Sequence, residues 1–453
     1  MRTAPLRRAT AIAILERPRS HPRSQRSRAV AVLGAGALAV ALSATGAVGP
    51  AAADTVTDTI SVGAYPSAVA VSPDGGRAYV TNQLSDAVSV IDVATNAVVG
   101  APIAVGGNPV GVAFTPDGSR AYVTNNSSSV SVIDVATNTV VGDPIAVGSN
   151  PYGVAITPDG SRAYVTNYGD SSVSVIDVAT NSVVGAPIAV GASPIRVAIT
   201  PDGSRLYVTN SGDSSVSVID VATNSVVGAP IAVGASPNGA AITPDGSRLY
   251  VTNNNGSSVS VIDVATNAIV GAPIAVGVNP LGVAITPGGS RAYVTSQDAS
   301  TVSVIDVATN AVVGDPIPVG TNPVAVAITP DGGRAYVANI FGSSVSVIAI
   351  EVAPTLTGTP ASGVLGQPYS HTFTTSGQPD PTITVTAGTL PAGLTLTEAG
   401  VLSGTPTAAG SFTFTVTASN GIGEPAALPV TLVITNSTPP TTGSLGSLEG
   451  FGS

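Results

Sequence analysis

Residues 120–134 read RAYVTNNSSSVSVID, and with small changes the same run occurs seven times in a chain of 453 residues. Its tyrosines, Tyr79, Tyr122, Tyr164, Tyr207, Tyr250, Tyr293 and Tyr336, are spaced by 42 or 43 residues. A period in the forties, carried by short Val-, Thr- and Tyr-rich runs with turn residues between them, predicts a radial β-repeat rather than a helical solenoid.

On either side of that run, turn chemistry marks off four strands per repeat. Val110–Thr115 is the first, ended by Pro116-Asp117-Gly118, where Pro presets φ and Gly accepts a positive φ. Arg120–Asn125 is the second, and a variable polar loop leads to the third, Ser129–Val135. Thr137-Asn138 then turns the chain into a fourth, Thr139–Val147. Strands joined by such short connections must be antiparallel, so each repeat is a four-stranded meander. One meander cannot bury both faces, whereas seven stacked around an axis can, which accounts for the Val, Ala, Thr and Ser on both faces. The array is also uneven at its ends. The seventh repeat stops after its third strand, Ser344–Ile350, and Val56–Gly63 is a fourth strand with no first three before it. The expected fold is therefore all-β: a seven-bladed β-propeller over residues 54–351, closed by its N-terminal strand so that no sheet edge is left open there.

The segments AYVTN, TPDGSR and VSVIDVATN resemble the YVTN-family β-propeller repeat of bacterial and archaeal extracellular and surface-layer proteins. Seven copies make the resemblance specific, and it implies an extracellular propeller, usually without assigned chemistry. Departures are local: Ser296 replaces the Asn, Ala338 the Thr and Gly288 the turn Asp. After Glu351 the repeat ends. Residues 352–436 are rich in Thr, Pro and Gly with alternating stretches such as SFTFTVTA at 411–418, which predicts a small β-sandwich. The run from Leu390 to Gly421 resembles the immunoglobulin-like modules of bacterial surface proteins. Residues 437–453 read as a disordered tail.

At the other end, Arg17, Arg19, Arg23, Arg26 and Arg28 precede an apolar run from Ala29 to Leu42, and Ala51–Ala53 supplies the small residues a signal peptidase needs. Residues 1–53 therefore read as a signal peptide, and the apolar run is too short to favour a spanning helix. The expectation is a secreted or cell-surface protein with no transmembrane segment. Cysteine is absent, which removes disulfides, thiolate metal sites and a cysteine nucleophile. From residue 54 onward 25 acids face 8 Arg, a formal charge of −17, which argues against nucleic acid as a partner.

Catalytic groups are scarce. The single histidine after the leader, His371, lies in the sandwich and reads as a packing or surface residue. The repeated acids form two sets, one in the PDG turns such as Asp117 and one closing the third strands such as Asp134, and both read as turn caps. The repeated arginines, such as Arg120, are expected to pair with neighbouring acids or to cover apolar surface. Neither a cofactor nor a metal is called for, although a carboxylate site built from Asp and Asn stays open.

Where the repeats disagree is more informative. The loops between second and third strands, and those leading from one blade to the next, should share one face. After the inter-blade Pro stand Ser67, Val110, Tyr152, Ile195, Asn238, Leu281 and Val324, several of them apolar at an expected exposed rim. The next position is Gly or Ala except for Arg196, which places a candidate ligand site at the channel mouth with Tyr152, Tyr168 and Ile195. A second candidate group joins Ile340 and Phe341 of the last blade to Tyr65 and Leu84 of the first. The expected function is a noncatalytic binding, adhesion or structural scaffold whose variable face contacts a protein or glycan at the cell envelope. The alternative is a propeller enzyme, since similar repeats occur in lactonase-like hydrolases and quinoprotein-like or haem-binding oxidoreductases. Oligomeric state stays open.

Overall fold

The second strands of the repeat are apolar on both faces because each is covered twice, once by the blade before it and once by the blade after. In the computed structural model, which describes residues 54–436, Tyr122, Val130, Val132 and Ile145 of the second blade pack on Ala163, Val165 and Ile176 of the third. The same cluster recurs from blade to blade, and all seven repeat tyrosines are fully buried. Burying one tyrosine removes roughly 150 Å² or more from water, worth up to about 4 kcal/mol. The expected signal peptide, 1–53, and tail, 437–453, lie outside the described residues.

Seven sheets carry the repeats. In the second blade the strands are Pro109–Phe114, Arg120–Asn125 and Ser129–Asp134, paired antiparallel from Arg120↔Asp134 to Asn125↔Ser129. The fourth strand departs from expectation. It is not continuous over Thr139–Val147 but is broken into Thr139–Val140 and Ile145–Ala146, each pairing with one end of the third strand. Gly142 at φ +72° turns the chain out of the sheet, and Pro144 has no N–H to donate. Five blades share this break, while the sixth keeps Ala311–Pro318 as one strand with a register shift.

The first strands neighbour one another in a closed cycle and so line the central channel. Closure is made by the N-terminal strand, Thr55–Ser61, which pairs antiparallel with Ser344–Ala349, from Thr55↔Ala349 to Ser61↔Ser344. Tyr336 of the seventh blade then donates to Asn96 Oδ1 of the first at 2.7 Å, the same tyrosine–asparagine contact that joins every other pair of neighbours except the sixth and seventh blades.

Residues beyond Glu351 form a small sandwich. Ala426–Thr435 pairs with Gly410–Ser419, which pairs with Thr382–Gly388, and a second layer holds Tyr369–Thr372, Val401–Gly404 and Leu394–Leu396. Alternation directs Phe414, Val416 and Ala418 inward onto Phe373, Ile383, Leu402 and Leu432. His371 sits edge-on to Phe373 with centroids 4.8 Å apart, a packing residue.

Candidate functional site

Two faces of the propeller differ in what their residues are committed to. On one face lie the PDG turns and the turns after the third strands, and their polar groups are consumed locally or between blades. Asp117 accepts from Thr115 Oγ1 at 2.5 Å and from Ser119 N–H at 3.0 Å, bonds that hold its carboxyl below the usual aspartate range. Asp134 accepts from Thr137 N–H and Oγ1, both at 2.8 Å, with the same effect. Both acid sets are turn caps.

The repeat arginines depart from expectation. Arg77, Arg120, Arg205, Arg248 and Arg334 donate to the backbone carbonyl that follows the third strand of the next blade, as from Arg120 to Val178 O at 3.2 Å. Beside each, the tyrosine of the same strand donates to the turn asparagine of that next blade, as from Tyr122 to Asn181 Oδ1 at 2.5 Å. The ion pair among the described residues is Arg291–Asp54, at 3.3 Å. It forms because the seventh repeat lacks the VATN turn, and Asp54 occupies the place of its asparagine.

On the other face the loops between second and third strands meet those that enter each blade, as expected: Tyr168 N–H donates to Asn150 O at 3.0 Å and Ile340 N–H to Asn322 O at 3.0 Å. Just inside, every first strand carries a bulge after its Pro. The threonine of the second strand spans it. Thr166 Oγ1 accepts from Gly153 N–H and donates to Ile195 O of the next blade, both at 2.8 Å. One hydroxyl thus stitches two blades at the channel wall. Ala338 lacks that hydroxyl at the closing seam.

The residue after each Pro is not an exposed rim position throughout. Ile195 is only 7 % exposed, and Val110 and Val324 are buried with it. The reason is crowding where the first strands converge, since a Cβ on Gly111 would stand 2.5 Å from Tyr152 O. Ile195 is therefore a wall residue. Arg196 occupies the position held by Gly111, Gly153, Gly239 and Gly282 in other blades. Its guanidinium lies 5.5 Å from the Tyr152 ring centroid, and Tyr152 tilts against Tyr168 with centroids 6.3 Å apart. The structure brings these three together across the third and fourth blades. Arg196 is half-buried by surface area yet has protein on all sides, as a group within a channel does, and desolvation pushes it below the usual arginine range.

The second candidate group also assembles, with one change. Tyr65 meets Phe341 edge-on at 5.3 Å, and Leu84 N–H donates to Ala64 O beside them. Phe341 is 58 % and Leu84 65 % exposed. Ile340, however, packs down onto the core of the closing seam with Val69, Val324 and Tyr336. Sequence inspection missed the backbone here. Tyr65 has φ +63°, at the place where the other blades put Asn108, Asn150, Ser193, Ser236, Asn279 and Asn322. That alignment, a tyrosine in a column of Asn and Ser, was the available signal.

The family model of YNCE-like β-propellers matches residues 48–334, more than half of the chain. The chain belongs to the YNCE-like β-propeller family. Residues 351–435 match the model described as "Putative Ig domain". No curated protein matches this YNCE-like chain. Among solved structures it is similar to a chain of Kuenenia stuttgartiensis hydrazine synthase, at 29% identity and a TM-score of 0.58, over 63% of this chain and 95% of that one. Among the described residues of the YNCE-like protein no helix is long and apolar enough to cross a membrane.

Proposed function

We propose that this YNCE-like propeller is a noncatalytic binding scaffold, secreted or held at the cell surface, whose loop-bearing face contacts a protein or glycan of the cell envelope. The observation that carries this reading is Tyr65. An aromatic side chain in the left-handed region strains the backbone by on the order of 1 kcal/mol, and strain of that kind persists where a function selects it. Here it sets the ring against the exposed Phe341 next to Leu84, and the three form an apolar ledge on the rim. The repeated residues of the opposite face are committed to joining blades and capping turns, which leaves the loop-bearing face free to vary.

The test is binding of the labelled full chain to isolated envelope fragments. Leu84→Ser with Phe341→Ser should lower binding at least tenfold without changing the melting temperature. Equal binding by that variant would remove the ledge from the reading.

A second reading follows from the likeness to a hydrazine synthase chain: the propeller would serve as part of an enzyme. The propeller has no His or Cys, and its repeated acids are engaged as caps, so this chain offers few groups for proton transfer or ligation. Stable co-purification with a cofactor-bearing partner, together with turnover that needs both chains, would favour it.

A further inference from the structure

We propose that the channel mouth between the third and fourth blades is a carboxylate-binding site, in which Arg196 supplies the charge and Tyr152 and Tyr168 form the wall. This rests on the reading that the loop-bearing face is the binding face, and it names the chemistry one part of that face recognises.

An arginine at position 196 stands where the fold leaves little room. Around the ring, the position of Arg196 is otherwise glycine or alanine, and it is held small by contact: a Cβ on Gly153 would lie 2.6 Å from Ile195 O, and one on Gly239 would lie 2.2 Å from Leu281 O. Drift at such a place runs toward small residues. A long side chain ending in a cation runs against that constraint, so its presence has a cause other than weak selection.

The charge of Arg196 is unpaired among the described residues. Among the described residues the Arg196 backbone is bonded, N–H to Thr209 Oγ1 at 3.0 Å and O to the same hydroxyl at 3.3 Å, but its guanidinium has neither a hydrogen bond nor an ion pair. The acids on the nearest loops are already engaged. Asp170 accepts from Ser149 N–H at 2.6 Å, and Asp213 accepts from Ala192 N–H. A half-buried cation without a counter-charge is unfavourable until an anion enters.

Shape and charge balance select the anion. The guanidinium fork matches the two oxygens of a carboxylate, and one positive charge balances one negative charge. A phosphate dianion would leave a net negative charge in the mouth of a strongly acidic protein. The guanidinium carbon lies over the Tyr152 ring, 5.5 Å from its centroid, so the ring forms one wall beside the charge. Tyr168 is 41 % exposed and presents its ring to the body of the ligand, so the carboxylate belongs to a molecule with an apolar or ring-shaped flank.

The experiment is a thermal shift of the full chain with D-glucuronate, with D-glucose and inorganic phosphate as comparisons, followed by titration calorimetry. Glucuronate should raise the melting temperature saturably, glucose should leave it unchanged, and Arg196→Gln should bind glucuronate at least tenfold more weakly. Arg196→Gly, the residue of the neighbouring blades, should melt above the ligand-free wild type and respond to no anion; circular dichroism checks that both variants fold. A wild type indifferent to glucuronate, an Arg196→Gln protein that responds as the wild type does, or a response to phosphate stronger than that to glucuronate would each overturn the proposal. Envelope binding by Arg196→Gln separates the two readings. If it persists while wild type ignores glucuronate, the anion site fails and the scaffold stands; if wild type binds glucuronate but no envelope fragment, the scaffold reading fails alone.

Discussion

The Tyr293 phenol donates to Asp54 Oδ2 at 2.5 Å, joining residues 239 apart in sequence. Six blades make the equivalent bond to an asparagine of the next blade's turn; here the N-terminal strand brings a carboxylate to the same place. Asp54 Oδ1 also accepts from Glu351 N–H at 2.9 Å, and the carboxylate pairs with Arg291. Burial, and then the adjacent carboxylate, drive the Tyr293 phenol well above its ordinary range.

Replacing Asp54 should therefore open the ring at its last joint. Its side chain is 5 % exposed while that of Arg291 is 37 % exposed, so the loss for Asp54→Ala is set at about 2 kcal/mol, toward the low end for a broken charged contact. Asp54→Asn should keep most of the stability, because asparagine makes this bond elsewhere. Urea unfolding of the two variants checks this, and equal losses would show that the charge, rather than the hydrogen bond, holds the joint.

The threonine stitch gives a second prediction. Thr166→Val should destabilise by about 2 kcal/mol, since Gly153 N–H and Ile195 O lose their shared partner in a buried position. Ala338→Thr, which restores the hydroxyl at the closing seam, should gain about 1 kcal/mol. A threonine there that lowers the melting temperature would mean that the seam has no room for it.

Tyr65→Asn should raise stability by about 1 kcal/mol by relieving the left-handed tyrosine, while weakening envelope binding. Opposite movements of melting temperature and binding are the expected signature. Movement of both in the same direction would make Tyr65 a structural residue.

Acid sensitivity has a defined sign. The turn aspartates have folded-state pKa values depressed by hydrogen bonds, so their stabilisation is present above the ordinary aspartate range near about 4 and is lost as pH falls below it. Glu351 is shifted the other way, raised by burial and by Asp54, so ionising it at neutral pH opposes folding. Melting temperature should rise slightly as pH drops from neutral toward about 4.5, then fall steeply below about 4. Glu351→Gln should abolish the rise and leave the fall.

What the sequence disclosed follows from what repetition records. The 42- or 43-residue period, the PDG and VATN turns and the unmatched strand at Val56 were enough to define the blades and their closure, because each requirement is written once per blade. The arginines were harder to read: the partner of Arg120 is the carbonyl of Val178, 58 residues away, and a carbonyl leaves no mark on residue identity. The burial of Ile195 was hidden by the bulge, which breaks the two-residue alternation on which inside and outside are judged. The break in the fourth strand was legible in Gly142-Asp143-Pro144, but the flanking valines and isoleucine masked it. The channel-mouth group was found through difference, Arg196 in a column of glycines, whereas the strain at Tyr65 needed a backbone angle.

The broken fourth strands bear on how such molecules behave when crowded. Every blade turns its outermost strand to the surroundings, and an intact row of unpaired amides and carbonyls there would invite a neighbour to add a strand and begin a fibre. Two-residue segments parted by a left-handed glycine and a proline offer no continuous row to copy. Of the longer edges, Thr55–Ser61 carries Asp58 at its bulge, and Ala311–Pro318 contains Asp315 between Gly314 and Pro316. The outer wall can thus be brought close to many copies of itself and remain a wall.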